Sequence, residues 1–322
     1  MRKLLKILAI LVAVLIVAAI GAYVWATISA NRVLAQTFAV HAYDFAIPFP
    51  VGELEAPGVS EADRRQQAGD RAIERGKHLV ESRYVCTECH GANFGGGTMI
   101  DAFPIGRLLG PNITTGKGSR TINYQPADWD RIVRHGVLPT GLPAVMPSED
   151  FKLMSDQELS DVVAYVRSRP PVENEVPAPS FGPLGKFLLA TGQMRPSATL
   201  IETHQGTHAQ QPPASAVTVE FGRHMASICV GCHRPNLAGG PIVGGDPSWA
   251  PARNLTPHPD GLGKVTYEQF VKAMREGVRP DGTPLKPPMN GLKAFAQRMT
   301  DVEMQALWAY LQSVPAAATP EK

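Results

Sequence analysis

The sequence predicts an all-α protein: one apolar N-terminal helix followed by two similar helical lobes. Three observations carry that expectation. Residues 7–28 form a run of 22 without a charge, long enough to cross a bilayer. All four cysteines fall in two groups of one pattern, C-x-x-C-H: Cys86-Thr87-Glu88-Cys89-His90 and Cys229-Val230-Gly231-Cys232-His233. Around each group, helix-capping signatures, glycines and prolines recur at matching offsets, which marks an internal duplication.

The first element is the apolar run, preceded by Arg2, Lys3 and Lys6. At about 1.5 Å per residue it extends about 33 Å, against a hydrocarbon core of about 30 Å. A cleaved leader has an apolar stretch of about 7–15 residues. A cut after Ala26 is that alternative, but the length favours a retained anchor over residues 1–30. The three basic residues place the N-terminus in the cytoplasm and the rest outside. The expected location is therefore a bacterial inner membrane, crossed once, with both lobes on the periplasmic side. Residues 31–69 read as a spacer, with an amphipathic piece near 62–67.

C-x-x-C-H is the attachment pattern of a c-type haem. Both thiols bond to the porphyrin's vinyl groups, and the adjoining His reaches the iron. Zinc ribbons also use paired C-x-x-C units, but about 15–20 residues apart. Here Cys89 and Cys229 are 140 apart, and a His follows each pair. Two covalent haems are expected, with His90 and His233 as iron ligands. The 322 residues suit two small domains and a remainder. Only 19% are charged and Gly plus Pro number 59, so loops abound and a porphyrin must supply part of the core. A net charge of +2 argues against nucleic acid as a partner.

The repeat fixes further elements. Met146 lies 56 residues after His90, and Met289 lies 56 after His233. Asn93-Phe94-Gly95-Gly96-Gly97 parallels Asn236-Leu237-Ala238-Gly239-Gly240, and Pro111-Asn112-Ile113-Thr114 parallels Arg253-Asn254-Leu255-Thr256. Trp129 and Phe270 each precede a glycine by seven residues. Pro126 and Asp128 open a helix that Gly136 ends; Thr266-x-x-Gln269 opens another that Gly277 ends. Ser155-x-x-Glu158 and Thr300-x-x-Glu303 are capping boxes for the last helix of each half. A glycine in the helix before each haem motif, Gly76 or Gly222, costs about 1 kcal/mol. Close packing near Tyr165 or Tyr310 would account for it.

These features resemble class I c-type cytochromes, and more narrowly the tandem two-haem cytochromes of bacterial membranes. The resemblance covers residues 70–170 and 216–315, leaving a linker at 171–215 and a tail at 316–322. In the linker, residues 185–192 suit a short apolar turn of helix. The resemblance implies a small all-α fold in each half, with first and last helices crossing over the haem. It supports Met146 and Met289, nominated by spacing, as the second iron ligands. Prolines at 143, 147, 287 and 288 stiffen both loops. Met154, Met225, Met274, Met299 and Met304 read instead as core filler. The resemblance also implies that the carbonyl of Pro111, in Gly110-Pro111-Asn112-Ile113, orients His90. The second half departs, with Arg253 before Asn254. Trp129 and Phe270 either pack near the porphyrin or belong to plain core.

Other histidines read less sharply. His78 and His224 suit surface or packing positions. His204 and His208 fall i,i+4, a metal-compatible spacing on a helix, but no further ligand is near in sequence and Gly206 opposes a helix. His41, His135 and His258 read as solvated or satisfied by neighbours. The functional expectation is a tethered dihaem electron carrier with no catalytic residue. Its donor would be a quinol-oxidising complex or dehydrogenase, and its acceptor an oxidase or reaction centre; it is equally readable as a permanent dehydrogenase subunit. The alternatives are a dihaem peroxidase, a sulfur-oxidising cytochrome, or a structural haem subunit of a complex or filament.

Overall fold

The structure, a computed structural model, describes residues 2–52, 55–242 and 248–320. Parts of the expected anchor, spacer, second domain and tail (1, 53–54, 243–247 and 321–322) lie outside the described residues. Helix α1, Arg2–Leu34, is long and apolar enough to cross a membrane by length and composition. Its side chains are exposed except near its C-terminal end, where Ala26 and Ala30 are buried. There the linker supplies α6, Pro183–Ala190, which starts on a proline at its first turn. Phe187 of α6 meets Trp25 of α1 edge to face, with ring centroids 6.4 Å apart.

The first lobe begins with α2, Glu61–Ser82, capped by the Ser60 hydroxyl, which accepts from the Asp63 amide. Ala68, Ala72, Gly76 and Val80 are all buried. Four small residues at i,i+4 spacing make a shallow ridge, so another helix can approach closely. That helix is α5, Asp156–Ser168, opened by the Ser155/Glu158 capping box. A Cβ on Gly76 would overlap the carbonyl of Asp161 and lie 2.8 Å from Cβ of Tyr165. The second lobe repeats the crossing with α7, Val219–Met225, and α11, Asp301–Ser313. A Cβ on Gly222 would overlap the carbonyl of Ala306 and lie 2.7 Å from Cβ of Tyr310. Both glycines are therefore required by helix contact.

Between the crossing helices lie α3, Cys86–His90, and α4, Pro126–His135, in the first lobe. Their counterparts are α8, Val230–His233, and α9, Tyr267–Glu276, followed by the short α10, Lys293–Ala296. Gly136 and Gly277 end α4 and α9 in the left-handed conformation, φ 66° and 75°, where a Cβ would be strained. Each lobe has its own core: Val80, Tyr84, Phe94, Leu159 and Val163 in the first, Phe221, Leu237, Met304, Leu307 and Leu311 in the second. Wholly buried side chains such as Leu159 and Met304 contribute about 1.5–3 kcal/mol each.

The all-α expectation needs a correction. The first lobe carries a three-stranded antiparallel sheet, β1 (Gly97–Ala102), β2 (Gly106–Gly110) and β3 (Ser180–Phe181). Gly97 pairs with Gly110, and Gly106 with Phe181. The segment between His90 and Pro111 folds back on itself as a hairpin, although its span of 21 residues is only one longer than that from His233 to Arg253. Gly106, at φ 134°, and Phe103-Pro104 make the turn. Among the described residues, the matching place in the second lobe holds the isolated bridge of Gly240 with Ala252.

The lobes meet through their repeats. Nε2 of His78 on α2 lies 2.8 Å from Oε1 of Glu303, the capping-box residue of α11. Reciprocally, Nε2 of His224 on α7 lies 2.8 Å from Oε1 of Glu158, the capping-box residue of α5. Glu158 also accepts from Arg83 Nη1 at 2.9 Å and the Tyr84 hydroxyl at 3.1 Å. Arg83 in turn donates to the carbonyl of His224 at 2.6 Å. The contact is thus a pseudo-twofold pairing, more deeply buried on the Glu158 side.

Candidate haem sites

The first C-x-x-C-H forms one turn of helix, α3, entered through Val85 in a left-handed conformation, φ 42°. It opens on a cavity of about 310 Å³ lined by Cys86, Cys89, His90, Pro111, Trp129 and Met146. Tyr84, Phe151 and Leu159 add apolar wall. The size lies at the lower end of cofactor cavities, about 300–1,000 Å³. An apolar slot flanked by two unpaired thiols and an imidazole fits a covalently held porphyrin. Arg120 brings a cation to the same wall. Sequence reasoning passed over it, because a lone arginine between two motifs carries no pattern.

Backbone geometry prepares the imidazole. His90 Nδ1 lies 2.9 Å from the carbonyl oxygen of Pro111, to which it donates, leaving Nε2 as the nitrogen with a lone pair. That loop is docked on the haem motif, since the Ile113 amide donates to the Phe94 carbonyl at 2.9 Å. Asn112 is buried behind the loop, donating to Val172 and Asn174 carbonyls at 2.7 and 3.1 Å. Its own carbonyl oxygen accepts from the Thr114 amide at 3.0 Å.

The second motif has the same parts. His233 Nδ1 lies 2.7 Å from the carbonyl oxygen of Arg253. The Leu255 amide donates to the Leu237 carbonyl at 2.8 Å. Asn254 donates to the Ala317 carbonyl at 2.7 Å and accepts from the Thr256 amide at 2.8 Å. Phe94 and Leu237, at φ 59° and 58°, hold equivalent buried anchors. Burial lowers the His90 and His233 imidazoles below the usual histidine value, against the pull of Pro111 or Arg253. It pushes the Cys86 and Cys229 thiols up to about 12. Phe270 joins the core cluster against which Cys229 packs, and its ring stands 5.2 Å from that of Trp308. Met289 is half-buried at the start of a 3-10 turn, Met289–Leu292, after Pro287 and Pro288.

One link between the sites was illegible in the sequence. Asp150, four residues past Met146, packs against Gly231 inside the second C-x-x-C-H. A Cβ on Gly231 would lie 2.7 Å from either Asp150 oxygen, so a larger residue at this variable position of the motif would displace the Asp150 carboxyl. Burial, with Glu149 adding to it, pushes the Asp150 carboxyl up to about 8. The expectation of no further ligands near His204 and His208 is overturned: the fold brings His41, Asp130 and His135 beside them. Those ligands come from distant segments, which sequence spacing does not reveal.

Comparison with known families agrees with this geometry. Residues 71–166 match the family described as "Cytochrome C oxidase, cbb3-type, subunit III", and residues 222–315 match "Cytochrome c". The cytochrome c subunit of the quinone-type alcohol dehydrogenase of Gluconacetobacter polyoxogenes is 38% identical over 123 residues, 35% of this chain and 26% of that protein. The gluconate 2-dehydrogenase cytochrome c subunit of Pantoea cypripedii is 26% identical over 285 residues, 78% of this chain and 61% of that protein. The fructose dehydrogenase cytochrome subunit of Gluconobacter japonicus is 26% identical over 271 residues, 77% of this chain and 53% of that protein. The chain thus spans less than two-thirds of each of these curated relatives. Its two haem-attachment motifs sit in two cytochrome c-type domains in tandem, which imply two covalently bound c-type haems with iron.

Proposed function

We propose that this chain is the electron-transfer subunit of a membrane-bound dehydrogenase complex, with no catalytic centre of its own. The observation that carries the reading is the duplicated site: two C-x-x-C-H turns, each with its imidazole oriented by a backbone carbonyl, in lobes docked through reciprocal Glu–His pairs. Relatives named as dehydrogenase cytochrome subunits support the partner class. When bound, each haem supplies a one-electron iron couple.

The chain's residues set the conditions for that couple. Cys86, Cys89, Cys229 and Cys232 fix the macrocycle's edge. His90 and His233 would hold the iron through neutral imidazole nitrogen, and Met146 and Met289 would hold it through sulfur. A thioether ligand raises the reduction potential and closes the position that peroxide or oxygen chemistry requires. The apolar wall around Trp129, Tyr84 and Leu159 excludes water. Arg120 offers charge to a porphyrin carboxylate. Helix α1 anchors the assembly in the inner membrane with both lobes on the periplasmic side. A tether holds the lobes at high local concentration beside membrane partners, whether the electron acceptor is an oxidase or a reaction centre.

Intact mass and a haem assay on the purified chain test the reading. We expect two covalent c-type haems, both low-spin and six-coordinate when reduced, and co-purification with a dehydrogenase from native membranes. A vacant iron position, or rapid peroxide turnover, would refute it.

A further inference from the structure

We propose that His41, Asp130, His135 and His208 form a structural site for a divalent transition-metal cation of the zinc class. The four residues come from three separate segments. His41 belongs to the extended chain after α1, Asp130 and His135 to α4, and His208 to the linker. Their ligand atoms all lie within 4.8 Å of one another.

The separations match a small tetrahedron. Four ligands at about 2.0–2.1 Å from zinc stand about 3.3 Å apart along each edge. Here His41 Nε2 lies 3.1 Å from Asp130 Oδ2, and His135 Nε2 lies 3.2 Å from His208 Nε2. His135 Nε2 lies 3.7 Å from Asp130 Oδ2, and His208 Nε2 lies 3.3 Å from Asp130 Oδ1. Three imidazoles and one carboxylate suit zinc better than calcium or magnesium, which prefer all-oxygen sites. Four protein ligands leave no open position, the mark of a structural centre.

Outer contacts aim the ligands inward. His204 Nε2 lies 3.0 Å from the Ala198 carbonyl and donates to it, so its Nδ1 accepts. His135 Nδ1, 3.2 Å away, donates to that nitrogen, which leaves the His135 Nε2 lone pair facing the cluster. Arg134 Nε donates to Asp130 Oδ1 at 2.7 Å, and Arg134 Nη1 donates to Asp156 Oδ1 at 2.8 Å. The Tyr43 hydroxyl donates to Asp156 Oδ2 at 2.7 Å. With neutral imidazoles, the buried set of Asp130, Asp156 and Arg134 carries a net negative charge, which a cation offsets.

The site's consequence is mechanical. Residues 35–46 and 200–217 contain no helix or strand, yet the His41 amide donates to the His204 carbonyl at 3.0 Å. A cation joins the chain leaving α1, the linker and the first lobe at one point, fixing that lobe relative to the membrane helix. The cluster occupies α4 alongside Trp129 and Val133, which line the haem cavity.

The test uses tag-free, full-length protein with both haems in place. After chelation and dialysis against zinc chloride, zinc and iron are counted by mass spectrometry. One zinc per two irons is expected, with zinc-edge absorption giving four nitrogen or oxygen neighbours at about 2.0–2.1 Å. His41→Gln and His208→Gln, at partly exposed positions, should each lose stoichiometric zinc while keeping wild-type haem spectra. His204→Gln should weaken zinc binding about 10–100-fold. No stoichiometric zinc in the wild-type protein, or full retention by both ligand variants, would overturn the proposal.

Discussion

Two glycines in one helix should respond oppositely to the same substitution. Gly69 and Gly76 both lie in α2, seven residues apart. Alanine is favoured over glycine in a helix by about 1 kcal/mol. At Gly69 a new Cβ meets nothing within 4 Å, so Gly69→Ala should stabilise by most of that amount. At Gly76 the same methyl overlaps the Asp161 backbone carbonyl and sits 2.8 Å from Tyr165 Cβ. Neither neighbour is a flexible side-chain end, so α2 and α5 must separate. Overpacking of this kind costs about 1–3 kcal/mol, which outweighs the propensity gain. The two variants should therefore differ by about 1–3 kcal/mol, with Gly222→Ala following Gly76→Ala. At about 2–4 °C per kcal/mol for a unit of 150–250 residues, thermal melts followed by far-ultraviolet and haem-band circular dichroism resolve the gap. Gly76→Ala melting at or above Gly69→Ala would show that the helices do not touch as described.

Three further outcomes follow from named contacts. Met146→His or Met289→His should lower the potential of one haem and leave the other nearly unchanged; redox titration with no shift in either variant would reject these ligands. Glu158→Gln leaves the buried Arg83 without its carboxylate and should cost about 3–5 kcal/mol in denaturant titration. Glu303→Gln, facing the more exposed His78, should cost clearly less, and equal losses would contradict the asymmetric interface. Acid should weaken both sides, since Glu158 and Glu303 are both held below the usual carboxylate value. Burial alone would raise the Glu158 carboxyl, but the His224 hydrogen bond and the Arg83 charge outweigh it and hold it at about 2, below its usual 4.5. Its contribution is present above about pH 4.5 and is lost as pH falls toward 2. The Glu303 hydrogen bond raises His78, so that contribution is complete below 6.5 and fades as pH rises through the raised value. Stability measured from pH 2 to 9 should show both limbs, the acid limb flattening in Glu158→Gln.

What the sequence disclosed was local or repeated. Capping boxes at Ser155 and Thr300, stops at Gly136 and Gly277, and the C-x-x-C-H turns depend on residues within one helical turn, so they are legible one segment at a time. Gly76 and Gly222 stood out because a mid-helix glycine is unfavourable unless something presses on it. The sheet stayed hidden because β1 and β2 lack an Asn-Gly or Asp-Gly turn, and β3 arrives from 70 residues further on. His41, Asp130, His135 and His208 gather only after folding, across 167 residues of chain. Asp150 was equally unreadable, since the Gly231 it packs against belongs to the other lobe.

The duplication does more than copy a haem site; it supplies the contact between the copies. A capping box needs a carboxylate at its third helical position to accept the N-cap amide. Glu158 and Glu303 each do so, at 2.9 and 2.7 Å. Each carboxylate has an oxygen left over, and the same repeat places a histidine two residues after each close-packing glycine, His78 and His224. Because each first helix crosses its own last helix, that spare oxygen lies at the crossing's edge, where the other lobe's histidine reaches it. Each lobe, with its glycine, histidine and capping box, thus carries both halves of a self-complementary face. The two sides of it are not equal. Arg83 and Tyr84 joined Glu158 in the first lobe, whereas Ala226 and Ser227, just past α7, hold the second-lobe positions after Met225 and add no charge there. The deeper half of the interface is thus the Glu158 side, where Arg83 and Asp150 both lie close enough to act on Cys229.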